Sequence, residues 1–418
     1  MSDKIRNKFN INGLKRTVRS LLNKTENLYL DCRSAYYLRR LKNKPVHSDR
    51  IKVGFIVQMP EVWDKQASVY ESMVHDNSFE TYIFVLPPYD FESKRIRSFP
   101  NDTYAFYKEK YKEQTVLPLH DYSDFKEIKH KYDLEYVFYD RPYNSYFPKK
   151  MNSEYVVKYA KICHINYCPN EFKGVFSYNS FARNVYIWFA SNSEDYNAFK
   201  KFYNHRLKYR NVMSFGYPAY DRYKSAKSDF KTKKILWTPR WSYDSKFGGS
   251  HFLEYIEKII RYFANNKEYS LTIRPHPLMF ENFVVQNLLS KQDVITIKKK
   301  CQDANITFDN NEMIYDTFKE IDLLISDYSS VISLYMTTKK PVIYCYSELD
   351  YNNTFKKLMR GMYVSYSWQE VESILNDLLN GVDVIKSQRE QIVDKILLKT
   401  PNSVTDIIKK IIDDHNHI

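Results

Sequence analysis

From Pro45 onward, short and almost continuous apolar runs alternate with polar stretches of helical character. In the first half the runs lie at residues 51–57, 81–86, 134–139, 161–167, 185–190 and 212–216. Strands without polar alternation, separated by helical segments, predict a parallel sheet covered on both faces. A second series at 234–239, 270–275, 294–297, 305–309, 322–326 and 341–346 predicts another sheet, with helices over 252–265, 280–290 and 330–337. Helices from Gln369 onward are expected to fold back over one of the two sheets. Between the series, residues 219–234 are charged and poor in large aliphatics, so they read as a linker. The expectation is an α/β protein of two doubly wound, Rossmann-like domains, residues 46–220 and 221–418, facing an interdomain cleft. Such folds bind ligands at the carboxyl ends of their strands.

Ahead of Pro45 the pattern is different. Leu14, Val18, Leu21 and Leu22 recur at helical spacing, with Lys15, Arg16, Arg19 and Lys24 on other faces, so residues 1–45 read as a basic amphipathic helical segment. Residues 1–50 carry +9 of the chain's +14 net charge, which calls for an anionic partner. Two readings stay open: the stripe lies on an anionic membrane surface, or it packs on the protein itself. No nucleic-acid reading motif accompanies the charge, so nucleic acid is not expected.

A chain of 418 residues supports two cores, and 43% hydrophobic residues exclude disorder. Five scattered cysteines without CxxC spacing argue against a zinc ribbon or a disulfide framework. There is no apolar run of spanning length and no signal-peptide pattern. The expected location is therefore the cytoplasm, either free or, through residues 1–45, peripheral on the inner face of the plasma membrane. Eight glycines, none in GxGxxG or Walker spacing, exclude a dinucleotide dehydrogenase and a P-loop kinase.

Three segments carry candidate chemistry. In residues 321–336, IDLLISDYSSVISLYM, a strand ends at Asp327 and a helix begins after Ser329 and Ser330, where free amides and hydroxyls suit a phosphate; the plainer reading is that Asp327 or Ser329 caps the helix. In IRPHP, residues 273–277, two prolines fix Arg274, suited to phosphate, and His276, suited to donating or exchanging a proton. TPRW, residues 238–241, adds Arg240, and RGMY, residues 360–363, adds Arg360, either as ligand contacts or as surface loops.

Together with GYPAYD (216–221) and KPVIYCY (340–346), these segments resemble, in order, the CDP-glycerol glycerophosphotransferase family of teichoic-acid primases and polymerases and their capsule-cluster relatives. The resemblance covers roughly residues 160–365 and implies a GT-B-like enzyme. Such an enzyme moves a polyol phosphate, glycerol or ribitol phosphate, from a CDP-activated donor to a lipid-linked or polymeric hydroxyl acceptor, with no metal or cofactor. It implies donor-phosphate contacts from Arg274, His276, Arg240, Ser329, Ser330 and Arg360, with Asp327 ordering the loop or a donor hydroxyl. The family's first-domain His-Gly-Thr-Pro element, whose His looks like the base, is represented by ICHINYCPNEFKG at 162–174. Counting back from Pro169 puts Asn166 at that His and leaves His164, two residues earlier, as a catalytic candidate alongside His276. The family's Asp-Gly signature has an eroded counterpart at 397–411. A GT-B glycosyltransferase using a nucleotide sugar, and a non-catalytic polymer- or membrane-binding relative, are the alternatives.

Overall fold

The computed structural model describes residues 11–44, 49–90, 93, 95–96, 101–111, 115–120, 122–166, 169, 179–204, 211–224, 233–309, 311 and 313–417, with side chains of the first helix from residue 24. The strands are β1 (Ile51–Val57), β2 (Phe79–Val85), the short pair β3 (Tyr89–Asp90) and β4 (Arg95–Ile96), β5 (Val116–Pro118), β6 (Tyr136–Tyr139), β7 (Lys161–Ile165), β8 (Val185–Phe189) and β9 (Asn211–Met213). They continue with β10 (Lys234–Thr238), β11 (Ser270–Ile273), β12 (Ile306–Phe308), β13 (Leu323–Ser326), β14 (Val342–Cys345) and β15 (Tyr363–Ser365).

One parallel sheet runs β5-β2-β1-β6-β7-β8-β9 and the other β12-β11-β10-β13-β14-β15. In both, the chain starts inside the sheet, walks to one edge, then returns past its starting strand to the other edge. The order reverses beside β1 and β10, which is where doubly wound sheets form their crevice. The expected class follows from burial: β6, β7, β8, β13 and β14 are buried at every position, which only a sheet covered on both faces allows.

Three expectations change. Residues 294–297 are not a strand but part of the Lys291–Asp303 helix. Ser290 and Asp293 form a capping box, and Ile297 and Cys301, four apart, are its buried residues while Ile295 is exposed. The expected linker begins as the Pro218–Tyr223 helix, whose Tyr220 and Tyr223 are buried; Tyr223 packs edge-on against Tyr315 and Phe318 of the second half. Residues 225–232 lie outside the described residues. Strands β5 and β15, of three residues each, have no apolar run long enough to announce them.

A helix spans Ile11–Lys42. The side chains of Leu14, Val18, Leu21 and Leu22 lie outside the described residues, but further along one face docks on the first domain. Leu38 and Leu41 are buried, Asp31 pairs with Arg183 at 2.9 Å, and the Ser34 hydroxyl reaches Asn184 Oδ1 at 2.7 Å. The C-terminal helices divide between the sheets. Trp368–Leu379 packs Val371, Leu375 and Leu378 on the second sheet, whereas Ser403–Asn416 returns to the first domain, burying Ile407 and Ile411 there.

Candidate active site

The loops after β10, β11 and β13 are neighbours because β10 lies between β11 and β13. Asp327, immediately after β13, is fully buried and ties them together. Its Oδ2 accepts the Arg240 amide at 2.8 Å, the Ser250 hydroxyl at 3.2 Å and the His251 amide at 3.3 Å, while its Oδ1 meets His251 Nδ1 at 2.7 Å. Burial would lower the His251 pKa, but the hydrogen bond and charge of Asp327 outweigh it and raise it. His251 drew no attention in the sequence. Its only signal is a Ser-His pair opening a helix after two glycines. Gly248, at φ 91°, closes this loop so tightly that a Cβ would lie 2.8 Å from Leu349 and 3.4 Å from Arg240 Nε.

Cys345 also brings its sulfur within 4.8 Å of the His251 and Asp327 ligand atoms. Burial, then the Asp327 charge, pushes its thiol pKa well up, which keeps it protonated, and the Asp327 oxygens are already taken. The group is therefore built for hydrogen bonding.

Arg240 is anchored by this frame. Its guanidinium donates to the Tyr328 carbonyl and lies 5.4 Å from the Tyr328 ring and 5.9 Å from that of Trp241. His276 is set beside it: the His276 amide donates to the Pro239 carbonyl at 3.2 Å, pinning the loop after β11 to the loop after β10. Its Nδ1 accepts the Leu278 amide at 3.2 Å, so the ring proton sits on Nε2. His276 is exposed, with its ring centroid 6.4 Å from that of Trp241. Desolvation, then the Arg240 charge, lowers its pKa to about 4. His276 is thus a neutral hydrogen-bond donor beside a fixed cation. Ser329 and Ser330 are half-buried at the start of the Val331–Met336 helix, and Ser330 makes no side-chain cap.

Two predicted contacts are placed differently. Arg274 gives its Nη1 to Asp309 at 2.7 Å and to the Asn311 carbonyl at 2.6 Å, so it braces the loops after β11 and β12. Arg360 is exposed ahead of β15, at the amino edge of the sheet and away from Arg240, and its carbonyl accepts from Gln388.

A cation, a neutral imidazole donor and two hydroxyls therefore meet at the carboxyl edge of the second sheet. Residues 96–396 match the family model described as CDP-Glycerol:Poly(glycerophosphate) glycerophosphotransferase. The chain belongs to this glycerophosphotransferase family. It is similar to the minor teichoic acid biosynthesis protein GgaB of Bacillus subtilis, at 24% identity over 244 residues, 54% of this chain but only 25% of GgaB. Its fold is similar to that of the wall teichoic acid polymerase TagF, with TM-score 0.56 at 13% identity over 98% of this chain and 99% of that one. It is also similar to a UDP-GlcNAc 2-epimerase from Neisseria meningitidis, with TM-score 0.57 at 11% identity over 87% and 100%. These GT-B-like neighbours fit the two-domain expectation.

In this glycerophosphotransferase-family chain the first sheet contributes the facing edge. His164 lies within β7, fully buried between the rings of Phe181 and Trp188 at 5.4 and 4.7 Å, and burial, then Lys65, holds its pKa well below the ordinary range. It does not reach the edge. Asn166, just past β7, does: its Oδ1 accepts the Trp188 indole at 2.6 Å, and its Nδ2 donates to Ser191 at 3.0 Å and to Asp195 Oδ2 at 2.6 Å. The two edges touch where the Glu194 carboxylate accepts the Asn353 and Thr354 amides at 3.2 and 2.7 Å. Residues 167–168 and 170–174, the rest of the expected His-Gly-Thr-Pro counterpart except Pro169, lie outside the described residues.

Proposed function

We propose that the chain transfers a polyol phosphate, glycerol or ribitol phosphate, from a CDP-activated donor to a hydroxyl of a teichoic-acid-like or capsular polymer. The observation that carries this reading is Arg240 beside the neutral His276, Arg240 tied to Asp327 of the loop that presents Ser329 and Ser330 and His276 tied to Pro239 next to Arg240, in a chain matching this family over residues 96–396. The acceptor oxygen attacks the β-phosphorus. A new P–O bond forms, the bond to the CMP oxygen breaks, and CMP departs with the electron pair. Arg240 and His276 Nε2–H meet the charge growing on the phosphate oxygens, and Ser329 and Ser330 add hydroxyl donors. Arg274 acts through the loop it braces. Preorganised donors of this kind carry much of the rate in such transfers.

The test is release of nucleotide from CDP-glycerol, CDP-ribitol, UDP-sugars and CMP-sugars in turn. CMP from a CDP-polyol is the expected result; UDP release from a sugar donor overturns the reading in favour of glycosyl transfer. His276→Ala is expected to lose about 10²- to 10³-fold in turnover with its circular dichroism unchanged. Near-normal CMP release by that variant removes His276 from the mechanism.

The Ile11–Lys42 helix supports a peripheral membrane role. No described helix is long and apolar enough to cross a membrane. Tyr29 and Tyr36 are exposed on the face opposite Asp31, Ser34, Leu38 and Leu41, and Leu28 is exposed at its border. An apolar stripe flanked by Arg33, Arg39, Arg40 and Lys42 suits an anionic lipid surface.

A further inference from the structure

His164 is buried between Phe181 and Trp188, and Asn166, which reaches the edge, carries an amide side chain that is no base. A transfer to a hydroxyl still needs a group that takes the acceptor's proton. Of the buried carboxylates at the carboxyl edge of the first sheet, Asp64 and Asp140 pair with Arg222 and Arg141 at 3.6 and 3.8 Å, whereas Asp195 has no such cation among the described residues. Asp195, in the first turn of the Ser193–Asn204 helix, is buried, and its Oδ2 collects three donors: Asn166 Nδ2 at 2.6 Å, the Ser191 hydroxyl at 2.6 Å and Asn192 Nδ2 at 2.8 Å. Its Oδ1 has no hydrogen-bond partner among the described residues.

Three donors on one oxygen fix the carboxylate plane, leaving the other oxygen for a hydroxyl. The position suits an acceptor. Glu194 binds the helix that begins at Asn353, whose Phe355 packs on Tyr328 at 4.8 Å, and the Tyr328 carbonyl holds Arg240. A continuous chain of contacts thus joins Asp195 to the phosphate-binding corner.

Building on the transfer proposed above, we infer that Asp195 is the group that removes the acceptor's proton, with Asn166, Ser191 and Asn192 as its positioning residues. As the new O–P bond forms, the hydroxyl O–H breaks and its proton passes to Asp195 Oδ1, while CMP takes the electrons of the cleaved P–O bond. The carboxyl pKa supports this role: burial raises it, the Ser191 bond lowers it, Glu194 raises it again and the two asparagines lower it, leaving it at about 7. A base with a pKa near the working pH is the most effective kind. The titratable groups on the surrounding elements are Glu194 on its own helix, His164 on β7, Lys65, whose Nζ donates to the Ile165 carbonyl, and Lys357, which bears on Glu194. Of these, Glu194 bears directly on the Asp195 charge.

The experiment uses the full chain, CDP-glycerol and a synthetic oligo(glycerol phosphate) acceptor. Asp195→Asn is expected to lower kcat at least 10²-fold while CDP-glycerol binding by calorimetry stays within threefold. The wild-type rate is expected to fall as pH drops through about 7. Ser191→Ala removes a bond that favours the ionised form, so it moves that limb to higher pH; Glu194→Gln removes a like charge and moves it lower. A loss below tenfold in Asp195→Asn overturns the inference, as does a limb that neither of the other variants moves, and these two variants decide should Asp195→Asn not fold. Failure of the wild type to release CMP from any CDP-polyol strikes the proposed function instead, and is told apart by the donor panel.

Discussion

Asp327 admitted two readings in the sequence, helix cap or ligand contact, and its two oxygens do something else: they set the Arg240 backbone and the His251 ring in one frame. Because the carboxylate is fully buried, replacing it leaves amide and hydroxyl donors without an acceptor. Asp327→Ala is expected to destabilise the fold by about 3 kcal/mol or more, read as a lower urea midpoint. The His251 pKa is raised in the folded state, so its pairing contributes stability that is whole below the unfolded-state pKa and is lost as pH rises through the folded value. Wild-type Tm is therefore expected to decline as pH increases above about 6.5, and His251→Gln to flatten that slope. An unchanged slope removes the ion pair from the account. At this scale Arg240 and His276 were legible because prolines and neighbouring strands fix them locally. His251 was not: its partner lies 76 positions away, and nothing in Ser250–His251 announces it. Asn166 was noticed as a departure, but the network that gives it meaning depends on β7 and β8 being adjacent, which no local pattern states.

Among the elements, runs buried on both faces were read correctly because nothing but a covered parallel strand tolerates them. The Lys291–Asp303 helix was misread because Val294, Ile295, Thr296 and Ile297 favour strands, while the Ser290–Asp293 box just ahead of them, three apart, was the stronger signal. The Ile11–Lys42 helix shows what pattern alone leaves open. It packs one face on the protein through Leu38, Leu41 and Asp31 and leaves Leu28, Tyr29 and Tyr36 exposed. Deleting it would strip Leu38, Leu41 and the Asp31–Arg183 pair from the first domain, so truncation cannot isolate membrane binding. Leu28→Glu with Tyr36→Glu is the cleaner probe: co-sedimentation with vesicles containing anionic lipid is expected to fall at least tenfold at unchanged Tm. Equal sedimentation of variant and wild type sinks the membrane reading.

For the whole molecule, the edge after β8 meets the segment that follows β14, and Glu194 makes the contact between them. The Ser403–Asn416 helix then lies back on the first sheet, where Asp414 meets buried Lys161 at 2.6 Å, Tyr136 at 2.8 Å and Tyr186 at 2.9 Å. Burial opposes the charge on Asp414, but Lys161 and the two phenols lower its pKa nonetheless. Asp414→Ala strands the Lys161 ammonium and is expected to cost about 3–5 kcal/mol, whereas Lys161→Met with Asp414→Leu recovers most of the loss in thermal melts. A double variant no better than the single one shows that the pair itself is needed.

That returning helix means the polypeptide passes between the two halves twice rather than once. Any opening of the crevice must then pivot about both passages together, as a door hung on two hinges swings along one arc. Shortening the chain from its carboxyl side would first loosen the half built on the first sheet, the part of the molecule farthest from that terminus in sequence.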